Sequence, residues 1–401
     1  MRRESDGASR GTRGASTAIF LKKSTRQSRM AAMARVRFCP AELPRAVDSM
    51  EDKMRLLILG TGGMANQHAA NFKAIEGVSV VGGVDVVPER LAAFCTEHGI
   101  ANHFTTLEDA LAWGEFDAVA NVTPDRIHHP TTLQAIAAGK HVFCEKPLAT
   151  DAVKAMEMTE AIERSGKVGM VNFTYRNSPA LQKGRQMVLA GEIGEIRHVE
   201  ASHLQSWLVG RHWGDWKSES KWLWRLSKKH GSNGALGDIG IHIVDFASYG
   251  SGLDVAHVFA RLKTFDKAPG HKIGEYDLDA NDSFTMNVDF LGGAIGTIQA
   301  TRTAAGQMDQ LRLRVYGETG SIEIIYDTGK STLRACLGED VHTATWRDVP
   351  FDPVETNYQR FVQAVRAGRT QEPSFRRAAN IQKVLDKALA SDLSHADEAL
   401  G

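Results

Sequence analysis

From Met54 onward, short apolar runs alternate with longer amphipathic stretches. The runs MRLLILG, VSVVGGVD, FDAVANVT, KHVFCEK and KVGMVNF each have the length of a β-strand. Segments with helical periodicity, such as PERLAAFCTEHG and DAVKAMEMTEAIERSG, separate them. This alternation predicts a parallel, doubly wound sheet with right-handed crossovers. Because runs such as LLIL are apolar at every position, we expect these strands to be buried on both faces.

After Pro179 the pattern changes. One helix over roughly 179–190 leads into the alternating segments IRHVEASHLQSW, DVAHVFARLKTF, DSFTMNVDF, AIGTIQATRT and LRLRVYGETGSIEII. Period-two runs separated by turn residues predict a large, mostly antiparallel open sheet. The last segments, NYQRFVQAVRAG and FRRAANIQKVLDKALAS, have helical periodicity and are predicted to pack back on the body. We therefore expect an α/β protein with a first domain over 54–174, a second α/β domain over 175–350 and terminal helices over 351–395.

The net charge of zero hides an uneven distribution. Residues 1–49 hold 11 basic and 4 acidic side chains, and subtraction from the totals of 48 each leaves 37 and 44 for the rest. We expect 1–49 to be a disordered basic extension, or sequence that precedes a true start at Met50 or Met54, with an electrostatic tether as the alternative. The mildly acidic remainder argues against nucleic acid as the partner.

Neither export nor membrane insertion is predicted. The apolar run TAIFL is shorter than the roughly 7–15 residues that the core of an export signal needs. No run approaches the ~18 apolar residues of a membrane span. The four cysteines are scattered and form no CxxC pair, which fits a reducing, cytoplasmic compartment.

A glycine-rich turn joins the first predicted strand to the first helix. GTGGMA, from Gly60 to Ala65, has the spacing G-x-G-x-x-A, in which Gly60 makes the tight turn and Gly62 lets backbone approach a diphosphate. The helix start at Gly63 and Met64 then offers free amide groups to that anion. The spacing predicts a dinucleotide site, and a glycine turn without a nucleotide is the alternative.

Asp85 ends the second predicted strand, 25 positions after Gly60. A carboxylate there accepts hydrogen bonds from the adenosine ribose. A 2′-phosphate beside that carboxylate would meet like-charge repulsion, so NAD is predicted as the cofactor and NADP is less favoured. Arg90 either pairs with a 2′-phosphate or lies on a solvated helix face. For Asp85 the alternative is an N-cap of the helix that follows Pro88.

Two further strand ends carry candidate cofactor contacts. Thr123 and Pro124 form a proline turn after FDAVAN, and His128 either touches a ligand or caps the following helix. VFCEKPLAT places Glu145 and Lys146 at another strand end, over the same crevice. A lysine there can stabilise a developing alkoxide or polarise a carbonyl during hydride transfer. The alternative is a surface lysine that pairs with Glu145.

GALGDIGIHIVDFA is predicted to be helical and contains a second candidate group. Asp238 and His242 are four residues apart, so they share one helix face. His242 can take the proton from a hydroxyl, since an unperturbed histidine has a pKa near ~6.5. Asp238 can orient the imidazole or contact a substrate hydroxyl. No third residue with suitable local spacing completes a metal site, so no metal is expected, and a structural Asp/His pair is the alternative.

These motifs occur in the order found in one known family. They are Gly60-x-Gly62-x-x-Ala65, Thr123-Pro124 with His128, Glu145-Lys146-Pro147, Tyr175-Arg176 before Pro179, Gly237-Asp238-x-Gly240-x-His242, VYGETGSIEI and PSF. Together they resemble the Gfo/Idh/MocA oxidoreductases, which include glucose–fructose oxidoreductase and inositol dehydrogenases, over about residues 54–392. One departure is visible, because Gly231-Ser232-Asn233-Gly234 stands where many relatives have a triple glycine.

The resemblance implies a Rossmann domain followed by an α/β domain whose open sheet often forms the interface of a homodimer or homotetramer. It implies Lys146, Asp238 and His242 as catalytic residues that oxidise a secondary hydroxyl of a sugar or cyclitol with NAD or NADP. Tyr175 and Arg176 are expected to contact the substrate. Two alternatives stay open, namely glycoside cleavage through transient oxidation by bound NAD and an NAD-sensing regulator without turnover.

The segment QSWLVGRHWGDWKSESKWLWR is rich in aromatic and basic residues. It holds five of the seven tryptophans in the chain. Flat aromatic walls with a few polar groups suit a sugar ring, and the alternative is a hydrophobic interface or core cluster. Trp224 and Arg225 are the predicted substrate contacts. The basic residues would also admit a phosphorylated or acidic sugar.

Overall fold

The computed structural model describes residues 53–401, so the expectations for residues 1–49 lie outside the described part of the chain. Its first sheet has the strands β1 (Met54–Leu59), β2 (Val78–Val84), β3 (Asn102–Phe104), β4 (Ala118–Asn121), β5 (His141–Cys144) and β6 (Gly169–Val171). The connecting helices are α1 (Gly63–Lys73), α2 (Pro88–His98), α3 (Leu107–Trp113), α4 (Asp125–Ala137) and α5 (Ala152–Ser165).

This sheet is parallel throughout and has the order β3-β2-β1-β4-β5-β6. The predicted doubly wound sheet is therefore confirmed. The strand order reverses between β1 and β4, and ligands of such sheets bind in the crevice outside the carboxyl ends at that point. Sequence periodicity missed β3, because this strand has only three residues, none of them fully buried.

The second sheet is built from β7 (Ile196–Gln205), β8 (Val255–Lys263), β11 (Ser283–Phe290), β12 (Ile295–Thr301), β13 (Asp309–Gly317), β14 (Gly320–Asp327), β15 (Lys330–Leu337), β16 (Arg347–Asp348) and β17 (Glu398–Ala399), while β9 (Lys272–Ile273) and β10 (Tyr276–Asp277) pair separately. The order is β16-β15-β14-β13-β7-β12-β11-β8-β17. All neighbours are antiparallel except β7 and β12. The predicted large, mostly antiparallel sheet is confirmed.

Helices cover one face of the second sheet. The remaining helices are α6 (Pro179–Leu189), α7 (Ser220–Leu223), α8 (Ile241–Ser251), α9 (Asp340–Thr343), α10 (Asn357–Arg366) and α11 (Phe375–Ser394). Side chains alternate between the two faces along each strand. In β11, Phe284 and Met286 are buried and join the main core, whereas Thr285 and Asn287 are exposed on the other face. Helix α11 contacts both β8 and α5, which links the two sheets.

No helix within residues 53–401 is both long and apolar enough to cross a bilayer.

Candidate active site

The turn after β1 has the geometry of a diphosphate cradle. Gly60 has φ +88°, and a Cβ there would lie 2.8 Å from the carbonyl oxygen of Val122, so only glycine fits. A Cβ added at Gly62 or Gly63 would meet nothing within 4 Å, which leaves open space above the first amides of α1. The turn thus packs closely against Val122 at Gly60 and leaves open space at Gly62 and Gly63. This arrangement fits a dinucleotide diphosphate at the N-terminus of α1.

Asp85 is anchored to this turn by several hydrogen bonds. Its carboxylate accepts from the Thr61 amide at 2.8 Å, from the Thr61 hydroxyl at 2.9 Å and from Arg90 Nε at 3.0 Å. Burial by itself would raise the pKa of Asp85, but donors from Arg90, Thr61 and Val87 lower it to about 2. Asp85 is therefore ionised, and α2 has Val87 rather than Asp85 at its N-cap. Arg90 pairs with Asp85 instead of facing only solvent.

The predicted cofactor residues surround a cavity of about 610 Å³. Its lining includes, from the first domain, Gly60, Gly62, Gly63, Met64, Asp85, Arg90, Thr123, Pro124, Asp125, Arg126, His128, Glu145 and Lys146, and from the second Trp224, Arg225, Lys228, His230, Asp238 and Arg302. The structure thus brings together residues that lie far apart in the sequence. Trp224 lines this cavity, and its contact with a substrate stays a prediction.

His128 acts as a brace in this structure. The side chain is fully buried, Nε2 lies 2.8 Å from the carbonyl oxygen of Thr123, and Nδ1 lies 2.7 Å from that of Pro147. Both ring nitrogens are thereby occupied. Burial opposes a charged ring, but Cys144, Asp125 and the Pro147 carbonyl raise the pKa of His128 to about 9. His128 also borders the larger cavity and links two of its loops, and its contact with a cofactor stays a prediction.

Glu145 supports the loop that carries Lys146. Its carboxylate is buried and accepts from Asn172 Nδ2 at 2.7 Å and from the Lys146 amide at 3.2 Å, and it lies 2.7 Å from His68 Nε2. Burial favours the protonated acid, but His68 and Asn172 lower the pKa of Glu145 to about 2. Since its oxygens are used within the protein, Glu145 borders the cavity as an orienting residue.

Lys146 reaches across the crevice to the second domain. Its Nζ lies 3.2 Å from Asp238 Oδ1 and 3.1 Å from the Asp238 carbonyl oxygen. Asp238 sits in a π-helical turn, Leu236–Gly240, directly before α8. The alternative of a surface lysine that pairs with Glu145 is therefore wrong, because the ammonium group faces a different carboxylate.

Arg302 shares the Asp238 carboxylate with Lys146. It is fully buried, directly after β12, and Nη2 donates to Asp238 Oδ2 at 2.9 Å and to the Gly234 carbonyl at 3.2 Å. Burial by itself raises the pKa of Asp238, yet Lys146, Arg302 and Arg225 together hold it well below its ordinary value. Asp238 is thus a charged group between two cations. Sequence reasoning missed Arg302, which belongs to no recognised motif.

His242 lies on the first turn of α8 with 8% of its surface exposed. Its Nδ1 is buried without a hydrogen-bond partner among the described residues, and the ring of Tyr175 meets its ring at a centroid distance of 4.8 Å and an angle of 89°. Burial, Lys146 and His203 lower the pKa of His242 well below its ordinary value, so the ring is neutral. Asp238 makes no hydrogen bond to it, which corrects the idea that Asp238 orients the imidazole.

Arg176 does not reach the site. It is 1% exposed and its Nε donates to Asp245 Oδ2 at 2.8 Å, with Glu372 as a second partner. Burial lowers the pKa of Arg176 and the two carboxylates raise it, with a net upward shift. The predicted substrate contact of Arg176 is corrected to a buried ion pair that holds α8 against the segment before α11.

A smaller cavity of about 190 Å³ adjoins the first. It is lined by Lys146, Tyr175, Gln205, Trp207, Trp213, Trp222, Arg225, Asp238, Ile239 and His242. Lys146, Arg225 and Asp238 line both cavities. Three tryptophans of the aromatic segment face this space, whereas Trp216 is core and donates to the Leu208 carbonyl. The segment is thus a mixture of cavity wall and core.

Behind the smaller cavity lies a polar layer that the sequence did not indicate. Asp309 accepts from the Tyr175 hydroxyl and from Gln205 Nε2, each at 2.8 Å, and lies 2.8 Å from His203 Nε2. Burial and the charge of Asp309 together raise the pKa of Tyr175 well above its ordinary value. The only sequence signal was the presence of polar residues at the inward-facing positions of β7 and at the start of β13.

A nucleotide cradle that adjoins a polar cavity with a lysine and a histidine defines the class of dinucleotide-dependent oxidoreductases. The chain belongs to the Gfo/Idh/MocA family. The model of the oxidoreductase family with an NAD-binding Rossmann fold matches residues 54–173, and that of the Gfo/Idh/MocA C-terminal domain matches residues 181–323. The suspected family is therefore confirmed, and it is an oxidoreductase family with an NAD-binding Rossmann fold.

Curated relatives share between a quarter and a third of aligned residues. Levoglucosan dehydrogenase of Pseudarthrobacter phenanthrenivorans is 29% identical over 254 residues, which span 60% of this chain and 63% of that protein. D-glucoside 3-dehydrogenase of Escherichia coli is 30% identical over 251 residues, or 60% of this chain and 68% of the relative. A solved oxidoreductase domain protein from Kribbella flavida has a TM-score of 0.77 at 27% identity, covering 87% of this chain and 100% of that one.

Proposed function

We propose that this protein is a dehydrogenase that oxidises a secondary hydroxyl of a sugar or cyclitol and delivers the hydride to NAD. The observation that carries the proposal is the cluster of Lys146, Asp238 and His242 around one small cavity that opens to the nucleotide cavity. Relatives named for levoglucosan and D-glucoside oxidation support the choice of a sugar or polyol.

Each residue has a role that follows from its protonation state. The neutral ring of His242 accepts the hydroxyl proton as the C–H bond breaks, because its lowered pKa keeps a nitrogen lone pair available. The Lys146 ammonium stabilises negative charge on the reacting oxygen. Asp238 holds Lys146 in place through the 3.2 Å contact between Lys146 Nζ and Oδ1. Its other oxygen, Oδ2, accepts a hydrogen bond from Arg302.

The cofactor side of the proposal rests on Asp85 and the glycine turn. Gly62, Gly63 and Met64 would hold the diphosphate and Asp85 the adenosine ribose, while bound NAD would supply the hydride acceptor. The ionised carboxylate of Asp85 repels a 2′-phosphate, and the guanidinium of Arg90 is already paired with Asp85. We therefore assign NAD rather than NADP. Thr123 and Pro124 would border the nicotinamide side.

The test is a panel of sugars and inositols with NAD or NADP, followed by NADH absorbance. We expect turnover of at least one neutral or acidic sugar, at least about tenfold higher with NAD than with NADP. Lys146→Met and His242→Ala should each lower kcat by about 10²-fold or more while NADH still binds. Turnover like that of the wild type in both variants would contradict the catalytic assignment. Release of an aglycone without NADH accumulation would indicate the redox glycoside-cleaving alternative.

A further inference from the structure

The smaller cavity has more positive than negative groups. Lys146 and Arg225 line it together with the carboxylate of Asp238. That carboxylate is already shared by Lys146 at 3.2 Å and Arg302 at 2.9 Å, so its charge is more than balanced before Arg225 is counted. The next carboxylate, Asp309, lies behind the wall and accepts from Tyr175, Gln205 and His203. The guanidinium of Arg225 is therefore surplus charge at the cavity.

Arg225 has no acidic side chain within 4.0 Å anywhere in the described range, which separates it from Arg90 and Arg302. Arg90 pairs with Asp85, and Arg302 pairs with Asp238. Arg225 donates from Nη1 to the Lys221 carbonyl at 2.8 Å, and its side chain makes no other hydrogen bond within residues 53–401. A guanidinium carries five N–H donors in a fixed fork, so most of them remain for a ligand.

Two aromatic rings hold this guanidinium in place. Its central carbon lies 4.5 Å from the ring centre of Trp224 and 5.4 Å from that of Trp222. The contacts with the two rings and with Lys221 restrict the rotamers of the long side chain before any ligand arrives. A guanidinium fixed in this way matches the planar oxygens of a carboxylate with two parallel hydrogen bonds.

We propose that Arg225 is an anion subsite and that the preferred substrate is an acidic sugar or polyol, whose carboxylate binds Arg225 while the reacting hydroxyl lies at Lys146 and His242. The proposal rests on the proposed function and narrows its substrate class. A carboxylate fits better than a phosphate, because the cavity of about 190 Å³ must also hold the ring. Arg225 also borders the nucleotide cavity, so a role in cofactor binding is the competing outcome of the test.

The experiment compares acids with their neutral counterparts in the full-length protein. The pairs are D-glucuronate against D-glucose and D-galacturonate against D-galactose, with D-glucose 6-phosphate as the phosphate arm. We expect the wild type to prefer the acid in at least one pair by about tenfold or more in kcat/KM, with a KM for the acid that rises with salt. Arg225→Gln should bring that ratio close to one, and Arg225→Lys should keep part of it.

Several results would overturn the proposal. One is a wild-type ratio of one or less in both pairs, and another is an unchanged ratio in Arg225→Gln. A higher rate with the phosphate than with either uronate would assign the subsite to phosphate instead. Equal losses for acid and neutral substrates, together with a weaker Kd for NADH in Arg225→Gln, would assign Arg225 to the cofactor.

Failure of the proposed function gives a different signature. If no sugar is turned over, calorimetry of D-glucuronate and D-glucose binding to the NADH-loaded protein decides the anion subsite alone. Preferential binding of the acid that Arg225→Gln abolishes would support the subsite without the dehydrogenase. Equal binding of acid and neutral sugar would contradict it. Thermal unfolding of Arg225→Gln and Arg225→Lys controls for misfolding.

Discussion

At the scale of single residues, Asp238 is the point where the two domains meet electrostatically. Lys146 comes from the strand end of the first domain and Arg302 from the second sheet, and each takes one carboxylate oxygen. Because the Asp238 carboxylate is half-buried, removal of one cation would leave it with less compensation for the water it has lost. Asp238 keeps its ionised form, and with it the position of Lys146, because both cations are present.

Replacement of Arg302 should move the acid side of the pH–rate profile. In Arg302→Met the pKa of Asp238 rises, so Asp238 is protonated at a higher pH and the acid limb of kcat/KM moves upward by roughly 1 to 3 pH units. Arg302→Lys keeps a cation and should move the limb less. A lower Tm with an unmoved acid limb in Arg302→Met would show that Arg302 only stabilises the fold.

Asp85 and Arg90 should decide cofactor choice between them. In Asp85→Ser the negative charge that repels a 2′-phosphate is lost, and Arg90 is released from its ion pair. The 2′-phosphate of NADP can then pair with Arg90. We expect the ratio of kcat/KM for NADP over NAD to rise at least about tenfold. Adding Arg90→Gln to that variant should reverse most of the gain. An unchanged ratio in Asp85→Ser would place the 2′-hydroxyl away from this carboxylate.

At the scale of elements, the loops after β4 and β5 are held together by one buried ring. His128 on α4 spans the carbonyl oxygens of Thr123 and Pro147, and both contacts need an N–H on the ring. Doubly protonated imidazole satisfies both acceptors, and the neutral ring satisfies only one of them. The loop that carries Lys146 is thus connected to the nucleotide loop through a titratable group.

Stability of this connection should depend on pH. The folded pKa of about 9 lies above the ordinary ~6.5, so the contribution is complete below about pH 6.5 and is lost as the pH rises through about 9. It amounts to about 3 kcal/mol at most, from 1.36 kcal/mol per pKa unit. In urea unfolding, the difference in unfolding free energy between the wild type and His128→Gln should be larger at pH 6 than near pH 10. A constant difference across that range would contradict a charged His128.

Elements that follow from a strong local pattern were predictable. The apolar runs and the glycine turn placed β1, α1, β2 and the carboxyl-end crevice, since burial on both faces leaves a continuous hydrophobic signature. The motif spacing also placed Asp238 and His242 together. The motif spacing did not reveal the π-helical turn at Leu236–Gly240. A π-helix differs from an α-helix in the register of its backbone hydrogen bonds, and the types of residue in this turn do not indicate that register.

At the scale of the whole molecule, one face of the nine-stranded sheet stays uncovered by the described helices. Asn287 and Thr297 are directly paired across β11 and β12, and both are exposed, as are Thr285 and Gln299. The opposite face carries Phe284 and packs against the π-helical turn before α8. A wide and mostly polar sheet surface is suited to association with a second copy through the same face.

We expect a homodimer or homotetramer formed through this face. Sedimentation velocity should give a mass above that of the 43.8 kDa chain. The double variant Asn287→Arg with Thr297→Arg places like charges at the interface and should shift the protein towards monomer. Val153→Arg, an exposed position on α5, is the matched control and should leave the mass unchanged. A monomeric wild type would contradict this interface.

The sequence by itself determined the alternation that makes the parallel sheet, the glycine turn with Asp85, and the triplet Lys146, Asp238 and His242. These features reside in short stretches whose local pattern carries the physical constraint. Tertiary structure alone decided that Arg302 forms an ion pair with Asp238 and that the buried Arg176 forms one with Asp245. It also decided that Asp309 faces Gln205 through the β7–β13 register. These contacts join residues far apart in the chain, and only the pairing of strands and the packing of α8 bring their charges together.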